Sequence, residues 1–435
     1  MKKLFSALLV LVLILGSCAA FAQEEKPYAG VTLNVLDVSY GATNAMKAYI
    51  ADFEELTGIK VNFEVVEHAS LTTKQEMELG MGSDAYDVMH ICADKVTKYA
   101  NAGWVEDLTG YLNDPTMTDP AAFKYEDMWE AARKVFVRGE GIYGIPVSTE
   151  TTILFYRSDI FEELGLTAPT TWDEVEACAK VIEEKTDLDG IGIRTRKGAG
   201  INMYLVPSFT WGYGAAFLDE SGKAIINDAK FVQGVSKYAS LMQNYGPAGY
   251  GDLTHNELYP MFAQGTLAMY YDSNHMFSNF QNAEISTVIG KWDAVSVPAG
   301  PEKKAANAFS HGLCIPVNSA NKGAAWEYIK WYTGVESQKK LALEAGFCGT
   351  VRQELLNLPE YNEMFGIGNY LNAVSESLAA NFPEFVMRDM PDWIEVGDMI
   401  GQAVQDIVLG ADAQARLDEA NAALNDFLTL NGYIA

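Results

Sequence analysis

Residues 144–157 read G-I-P-V-S-T-E-T-T-I-L-F-Y-R. Two apolar, β-rich pieces flank a short polar insert, Ser148-Thr149-Glu150-Thr151-Thr152. Ile153 to Tyr156 has the composition of a buried strand. Pro146 has no N–H to donate, so a strand reaching it is expected to end there or become an edge. Two readings of the insert follow. It is either a solvated turn between two strands, or a crossing where one sheet hands over to another and Glu150 faces a cleft.

Outward from this stretch the pattern is α/β. Val31 to Val38 alternates like a strand, Ser39 to Asn44 is a loop, and an amphipathic helix runs to about Leu56. Thr57-Gly58 ends that helix, and Lys60 to Val66 is the next strand, so the chain opens as a β-α-β unit. In open α/β sheets, loops at the carboxyl ends of strands face the ligand. Tyr40 lies in such a loop. Asp94 and Lys95 lie just past the apolar strand Tyr86 to Cys92. Downstream, Ser158 to Leu164 reads as a helix. Thr171-Trp172-Asp173-Glu174 is a capping box opening the next one. Asn202 stands at a helix start after a glycine-rich loop, where it either caps the helix or faces a ligand. Trp211 sits among glycines, and Thr266 to Tyr271 is a strand ending in Asp272-Ser273-Asn274. Val295 to Pro298 is a second candidate crossing, Leu313 to Val317 a strand, and Lys322 to Tyr332 a helix. Near the C-terminus, Trp393, Val396, Ile400, Val404 and Ile407 form one apolar helical face.

The chain of 435 residues is long enough for two domains. Its first residues are a leader: Lys2 and Lys3, then an apolar run from Leu4 to Leu15 too short to span a membrane. Ala20-Phe21-Ala22 is a cleavage site that would start the mature chain at Gln23. Leu15-Gly16-Ser17-Cys18 resembles a bacterial lipobox, in which Cys18 would be lipidated. Either processing places the protein outside the cytoplasm, periplasmic or on the cell surface. The formal net charge of −27 repels nucleic acid and anionic lipid. Cys92, Cys178, Cys314 and Cys348 fit buried free thiols better than disulfides, and no C-x-x-C pair points to structural zinc.

No nucleophile elbow, P-loop, H-E-x-x-H or dinucleotide fingerprint occurs. The five histidines show no metal-ligand spacing, so neither metal nor cofactor is expected. Paired carboxylates leave no local signature, so a secreted carbohydrate-active hydrolase stays open at this level. So does a passive surface lipoprotein. The remaining inventory of aromatics, amides and acids in turn loops suits a neutral, polyhydroxylated small molecule.

Residues 144–175, GIPVSTETTILFYRSDIFEELGLTAPTTWDEV, resemble the hinge-helix signature of family 1 extracellular solute-binding proteins. These are the sugar-capturing subunits of ABC importers. Tyr259 to Met269 and Ala325 to Phe347 resemble two further segments of that family. Tyr86 to Ile91, the loop Arg194 to Met203 with Gly198, Gly200 and Asn202, and Tyr245 to Gly249 with Asn256-Glu257 resemble its polyol (sorbitol/mannitol) branch. There are departures. Asp94-Lys95 stand where that branch tends to show Tyr-Glu, His311 where sugar binders usually place a stacking tryptophan, and Ser39-Tyr40 replace a polar amide pair.

The resemblance implies a type II-like periplasmic-binding-protein fold: two α/β lobes, a ligand cleft between them, a helical C-terminal region, and closure about the crossings. The expected boundaries are a leader over 1–22, one lobe from 28–147 plus 298–342, and the other from 148–297 plus 343–435. It implies a monomer that captures a sugar or sugar alcohol, hands it to a membrane permease and performs no chemistry. The ligand-facing set is expected to be Tyr40, Asp94, Lys95, Glu150, Asn202, Trp211, Asp272, His311 and Arg352. Tyr40 and Trp211 would stack. Asp94, Glu150 and Asp272 would accept hydroxyl protons, and Lys95, Asn202, His311 and Arg352 would donate.

Overall fold

The structure, a computed structural model, describes residues 26–380 and 390–434. The leader over 1–22, the Gln23 start and Cys18 lie outside the described residues. Seven strands share one hydrogen-bonded sheet: β1 (Thr32–Val38), β2 (Lys60–Val66), β3 (Val88–Cys92), β6 (Ile145–Tyr156), β7 (Met269–Ser273), β8 (Asp293–Ser296) and β9 (Ala308–Cys314). The short β4 (Val137–Arg138) and β5 (Gly141–Ile142) pair separately. The order is β2-β1-β3-β9-β6-β7, with β8 also on β6. β1 runs parallel to β2 and β3, whereas β9 is antiparallel to both β3 and β6.

The opening β-α-β unit forms as its pattern dictates. Helix Gly41–Thr57 buries Ala42, Met46 and Phe53 against the sheet and stops at Gly58, whose φ of 74° suits glycine. A side chain there would also press on Ala29. Thr171 and Glu174 make both bonds of the capping box. Helix Trp393–Val408 buries the face carried by Trp393, Val396, Ile400, Val404 and Ile407.

The quoted stretch is one continuous strand. β6 covers twelve residues, about 40 Å of chain at the usual rise. Ser148 to Thr152 are strand residues, neither a turn nor an insert. Ile145 to Thr151 pair with β9, while Thr152 to Tyr156 pair with β7 and Ile153 to Tyr156 also with β8. The strand survives Pro146 because the register against β9 shifts between Pro146 and Ser148, a bulge that tolerates the missing donor.

Two sets of cores lie on either side. Leu33, Phe53, Trp326 and Tyr328 belong to the first lobe, with Val96 and Tyr99 in a neighbouring cluster. Phe155, Phe209, Tyr238, Met269 and Ile400 belong to the second. The second crossing is Ala308 to His311 on β9, not Val295 to Pro298. β8 pairs only with the second-lobe half of β6. Ala305 and Ala306 pack in the second core, so residues 298–306 sit with that lobe and not with the first. A third passage follows, with Leu341 and Val351 in the first core and Cys348 and Leu355 in the second. Cys92, Cys178, Cys314 and Cys348 are all buried free thiols. Among the described residues no helix is long and apolar enough to cross a membrane.

Candidate functional site

Strand alternation builds the first-lobe wall. His90 and Cys92 are two apart on β3 and so share a face. His311 on β9 pairs directly with Cys92. Asp37, near the end of β1, faces His90, its Oδ1 2.8 Å from His90 Nδ1. The Asp37 carboxylate fixes that ring with Nδ1–H donating, which turns Nε2 toward His311 Nδ1 at 2.9 Å. Cys92 Sγ lies 3.7 Å from the same His311 nitrogen. Burial, reinforced by the charge of Asp94, pushes the Cys92 thiol well above its usual range.

Tyr40 is the residue before helix Gly41–Thr57 and is in extended conformation, with no side-chain capping bond. Its half-buried ring packs against the edge of the first-lobe core. It lies 5.2 Å from the His311 ring at a 30° tilt and edge-on to His90. Its hydroxyl is 3.4 Å from the Ser148 hydroxyl. Burial, with the charge of Asp37 next, holds the phenol far above its ordinary pKa, so it stays a neutral hydroxyl.

Glu150 lies on β6 at the crossing with its side chain one-fifth exposed. It accepts from the Ser273 hydroxyl and lies 3.8 Å from His275 Nδ1. His275 Nε2 is 3.1 Å from the Thr149 carbonyl oxygen. Phe347, on the third passage, sits edge-on to both Tyr40 and His275. Gly349 is needed here, because a Cβ would overlap the His275 ring. Thus Tyr40, His311, Phe347, Glu150, Ser273 and His275 gather around the two crossing strands. Asp94 and Lys95 form an ion pair of 2.9 Å in the turn after β3. Lys95 also edges an open groove of about 700 Å³ between Thr72 and Lys98 on the first lobe and Lys197, Glu395 and Asp398 on the second. A larger depression, about 950 Å³, lies on the outer face of the first lobe beside Met46, Trp331 and Lys340, away from the crossings.

Four expected ligand contacts are engaged elsewhere. Asp272 is a fully buried strand residue, not a loop acid. Its Oδ2 accepts from Arg194 Nε at 2.8 Å and Tyr270 at 2.5 Å, and its Oδ1 accepts from Arg194 Nη2. Burial opposes the charge on Arg194 but Asp272 more than restores it, leaving the guanidinium pKa above its usual value. Asn202 is also fully buried. It donates to the Gly401 carbonyl at 2.8 Å and accepts from Gly198 N–H, tying the glycine loop to a C-terminal helix. Trp211 is buried against Phe217 at the far end of helix Asn202–Gly212, roughly 13 Å along the axis from Asn202. Arg352 donates to the Thr333 and Lys124 carbonyls and stacks on Phe123. It ties first-lobe segments together.

Sequence reasoning did not place Asp37, His90, Cys92, Ser273, His275 or Phe347 at the site. The alternating polar positions His90 and Cys92 in an otherwise apolar strand were a usable signal. So was Phe347 between glycines at 346 and 349.

The model of the bacterial extracellular solute-binding protein family matches residues 40–339. The chain belongs to that family. The erythritol/L-threitol-binding protein of Mycolicibacterium smegmatis is 26% identical to this solute-binding protein over 412 residues, 89% of this chain and 84% of the relative. The mannitol-binding protein of Pseudomonas aeruginosa is 26% identical over 324 residues, 72% of each chain. Among solved structures, a solute-binding protein of Agrobacterium vitis with bound D-mannitol superposes with a TM-score of 0.77 at 22% identity, covering 93% of this chain and 99% of that one. One of Agrobacterium radiobacter with ribitol gives 0.78, also at 22% identity, covering 92% and 99%. The fold is therefore the two-lobe α/β fold of periplasmic sugar-binding proteins, and its family places it outside the cytoplasm.

Proposed function

We propose that the chain is the extracytoplasmic substrate-binding subunit of an ABC importer, capturing a sugar alcohol or small sugar by closure of its lobes about β6 and β9. The observation that carries this is the gathering of Tyr40 and His311 on one lobe with Glu150, Ser273 and His275 beside the crossings, in a member of the solute-binding family. Flat rings pack on the C–H faces of a polyhydroxylated chain, and a carboxylate accepts its hydroxyl protons strongly. The names of the two relatives, erythritol/threitol- and mannitol-binding, support a linear polyol over a pyranose. Tyr40, Glu150 and His311 are the contacts we retain, with Asp94 and Lys95 at the cleft edge. Ser273, His275 and Phe347 join them. We divide the described chain into a first lobe of 28–147 plus 309–341 and a second of 152–307, 355–380 and 390–434, with 342–354 passing between.

The protein works as a monomer that delivers its ligand to a membrane permease, without catalysis. Asp272, engaged by Arg194, and Asp94, paired with Lys95, are not free for the two-carboxylate chemistry of a hydrolase. Assays on aryl glycosides are expected to show no turnover. If Cys18 is the lipid anchor, Cys18→Ala will release the protein from the membrane fraction. An intact mass starting at Gln23 without acyl chains would show free secretion. Titration calorimetry with erythritol, mannitol, ribitol and maltose tests the ligand class. Saturable binding of a polyol supports the proposal, and silence across the panel would leave a passive surface protein as the better reading.

A further inference from the structure

We infer that His90, Cys92 and His311 form a binding site for one borderline-soft divalent cation, best matched by zinc, in the first-lobe wall of the cleft. The three donor atoms lie within 4.8 Å of one another. Sheet geometry puts them there: two alternate residues of one strand and the cross-strand partner of the second. This is why no ligand spacing is visible along the chain, with His311 more than two hundred residues downstream.

The separations suit a shared ion. Tetrahedral zinc with bonds of about 2.05 Å to nitrogen and about 2.3 Å to sulfur needs roughly 3.3 Å between two nitrogens and roughly 3.6 Å between nitrogen and sulfur. The structure gives 2.9 Å for His90 Nε2 to His311 Nδ1 and 3.7 Å for His311 Nδ1 to Cys92 Sγ. Both lie within about 0.4 Å of those values, and the third separation, between the His90 and Cys92 donors, is at most 4.8 Å. Metal-ligating histidines commonly donate their other ring N–H to a carboxylate, which sets the tautomer and makes the ring more basic. Asp37 does this for His90 at 2.8 Å, while its second oxygen, also buried, has no hydrogen-bond partner. Imidazole and thiolate together select zinc or copper over magnesium or calcium. Three protein ligands leave one tetrahedral position for a water or a ligand hydroxyl on the cleft side, where Tyr40 covers His311.

On binding, a sulfur–metal bond forms and the Cys92 thiol proton leaves to solvent. His311 stays neutral, its Nδ1 proton being replaced by the metal and its ring protonated on Nε2. No electron is transferred. The three protein donors hold the ion without a captured ligand, so the test uses metal alone.

Untagged mature chain, stripped with a chelator, is titrated with zinc by calorimetry and with cobalt(II) by absorbance. Expected are one equivalent bound and a thiolate-to-cobalt charge-transfer band in the near ultraviolet. Cys92→Ser should abolish the band, and both it and His311→Ala should weaken zinc binding at least tenfold. The wild-type cobalt spectrum needs no variant, so a misfolded mutant does not spoil the test. Absence of the band in wild type, or zinc affinity unchanged in both variants, overturns the inference and leaves the three residues as a hydrogen-bonded network.

Discussion

Removing Asp272 should damage the fold of the second lobe far more than any surface acid would. The carboxylate is fully buried, and the Arg194 side chain facing it is 9% exposed. Two Arg194–Asp272 bonds and the Tyr270 hydroxyl satisfy the acid, while Arg194 also donates to the Gly200 carbonyl and lies over the Tyr204 ring. In Asp272→Ala the guanidinium is left buried and uncompensated. Breaking such a pair from one side costs about 3–5 kcal/mol. A lobe of this size loses roughly 2–4 °C per kcal/mol, so the melting temperature should fall by on the order of 10 °C. Differential scanning calorimetry and urea titration of the free protein measure this. Arg194→Met combined with Asp272→Leu should recover most of the loss, since it removes both charges together. A single variant melting within about 2 °C of wild type would refute the reasoning, because a pair that contributes so little is not a buried one in solution.

Glu150→Gln should leave the melting temperature of the free protein nearly unchanged, because Glu150 is partly exposed at the crossing. It should weaken ligand binding by roughly 1.5–3 kcal/mol, the range for a hydrogen bond to a charged group; equal calorimetric affinities would remove Glu150 from the site. Gly349→Ala should push the His275 ring away from the Thr149 carbonyl, lowering affinity with little change in far-ultraviolet circular dichroism; wild-type affinity would show that His275 does not shape the cleft. His255 is held below its usual pKa, first by burial and then by the charge of Arg194. The unfolded chain therefore binds this proton more readily, so stability is lost as pH falls through about 6.5. His255→Gln should flatten that part of the stability curve, and identical slopes in urea titrations across that range would contradict the assignment.

The architecture was legible because its signals are local. The alternation of Val31 to Val38, the Gly58 stop, the Thr171–Glu174 box and the apolar stripe from Trp393 to Ile407 each report on neighbours within one element. β6 was only half legible, since Pro146 reads as a stop unless the bulge against β9 is known. The site was harder, because burial of a polar residue is decided by partners far away in sequence. Asp272 looks like a loop acid until Arg194, 78 residues earlier, is seen to hold it. Asn202 looks like a helix cap until Gly401 is placed beside it. Trp211 sits among glycines that themselves mark tight backbone packing, with Gly212 against Gly300, and not an open aromatic face. The His90–Cys92–His311 group depends on strand pairing between β3 and β9, which no spacing rule encodes.

The central claim is that the crossing strands frame a cleft that closes on a polyhydroxylated ligand. Thermal unfolding of the purified mature chain, scanned against a panel of sugar alcohols and sugars, tests it most directly. A ligand that binds only the native state must raise the melting temperature, by about 2.7 kcal/mol of added stability at a hundred times its dissociation constant. The account expects at least one linear polyol to do so, and Tyr40→Ala to abolish the shift. No stabilisation by any member at millimolar concentration would contradict it.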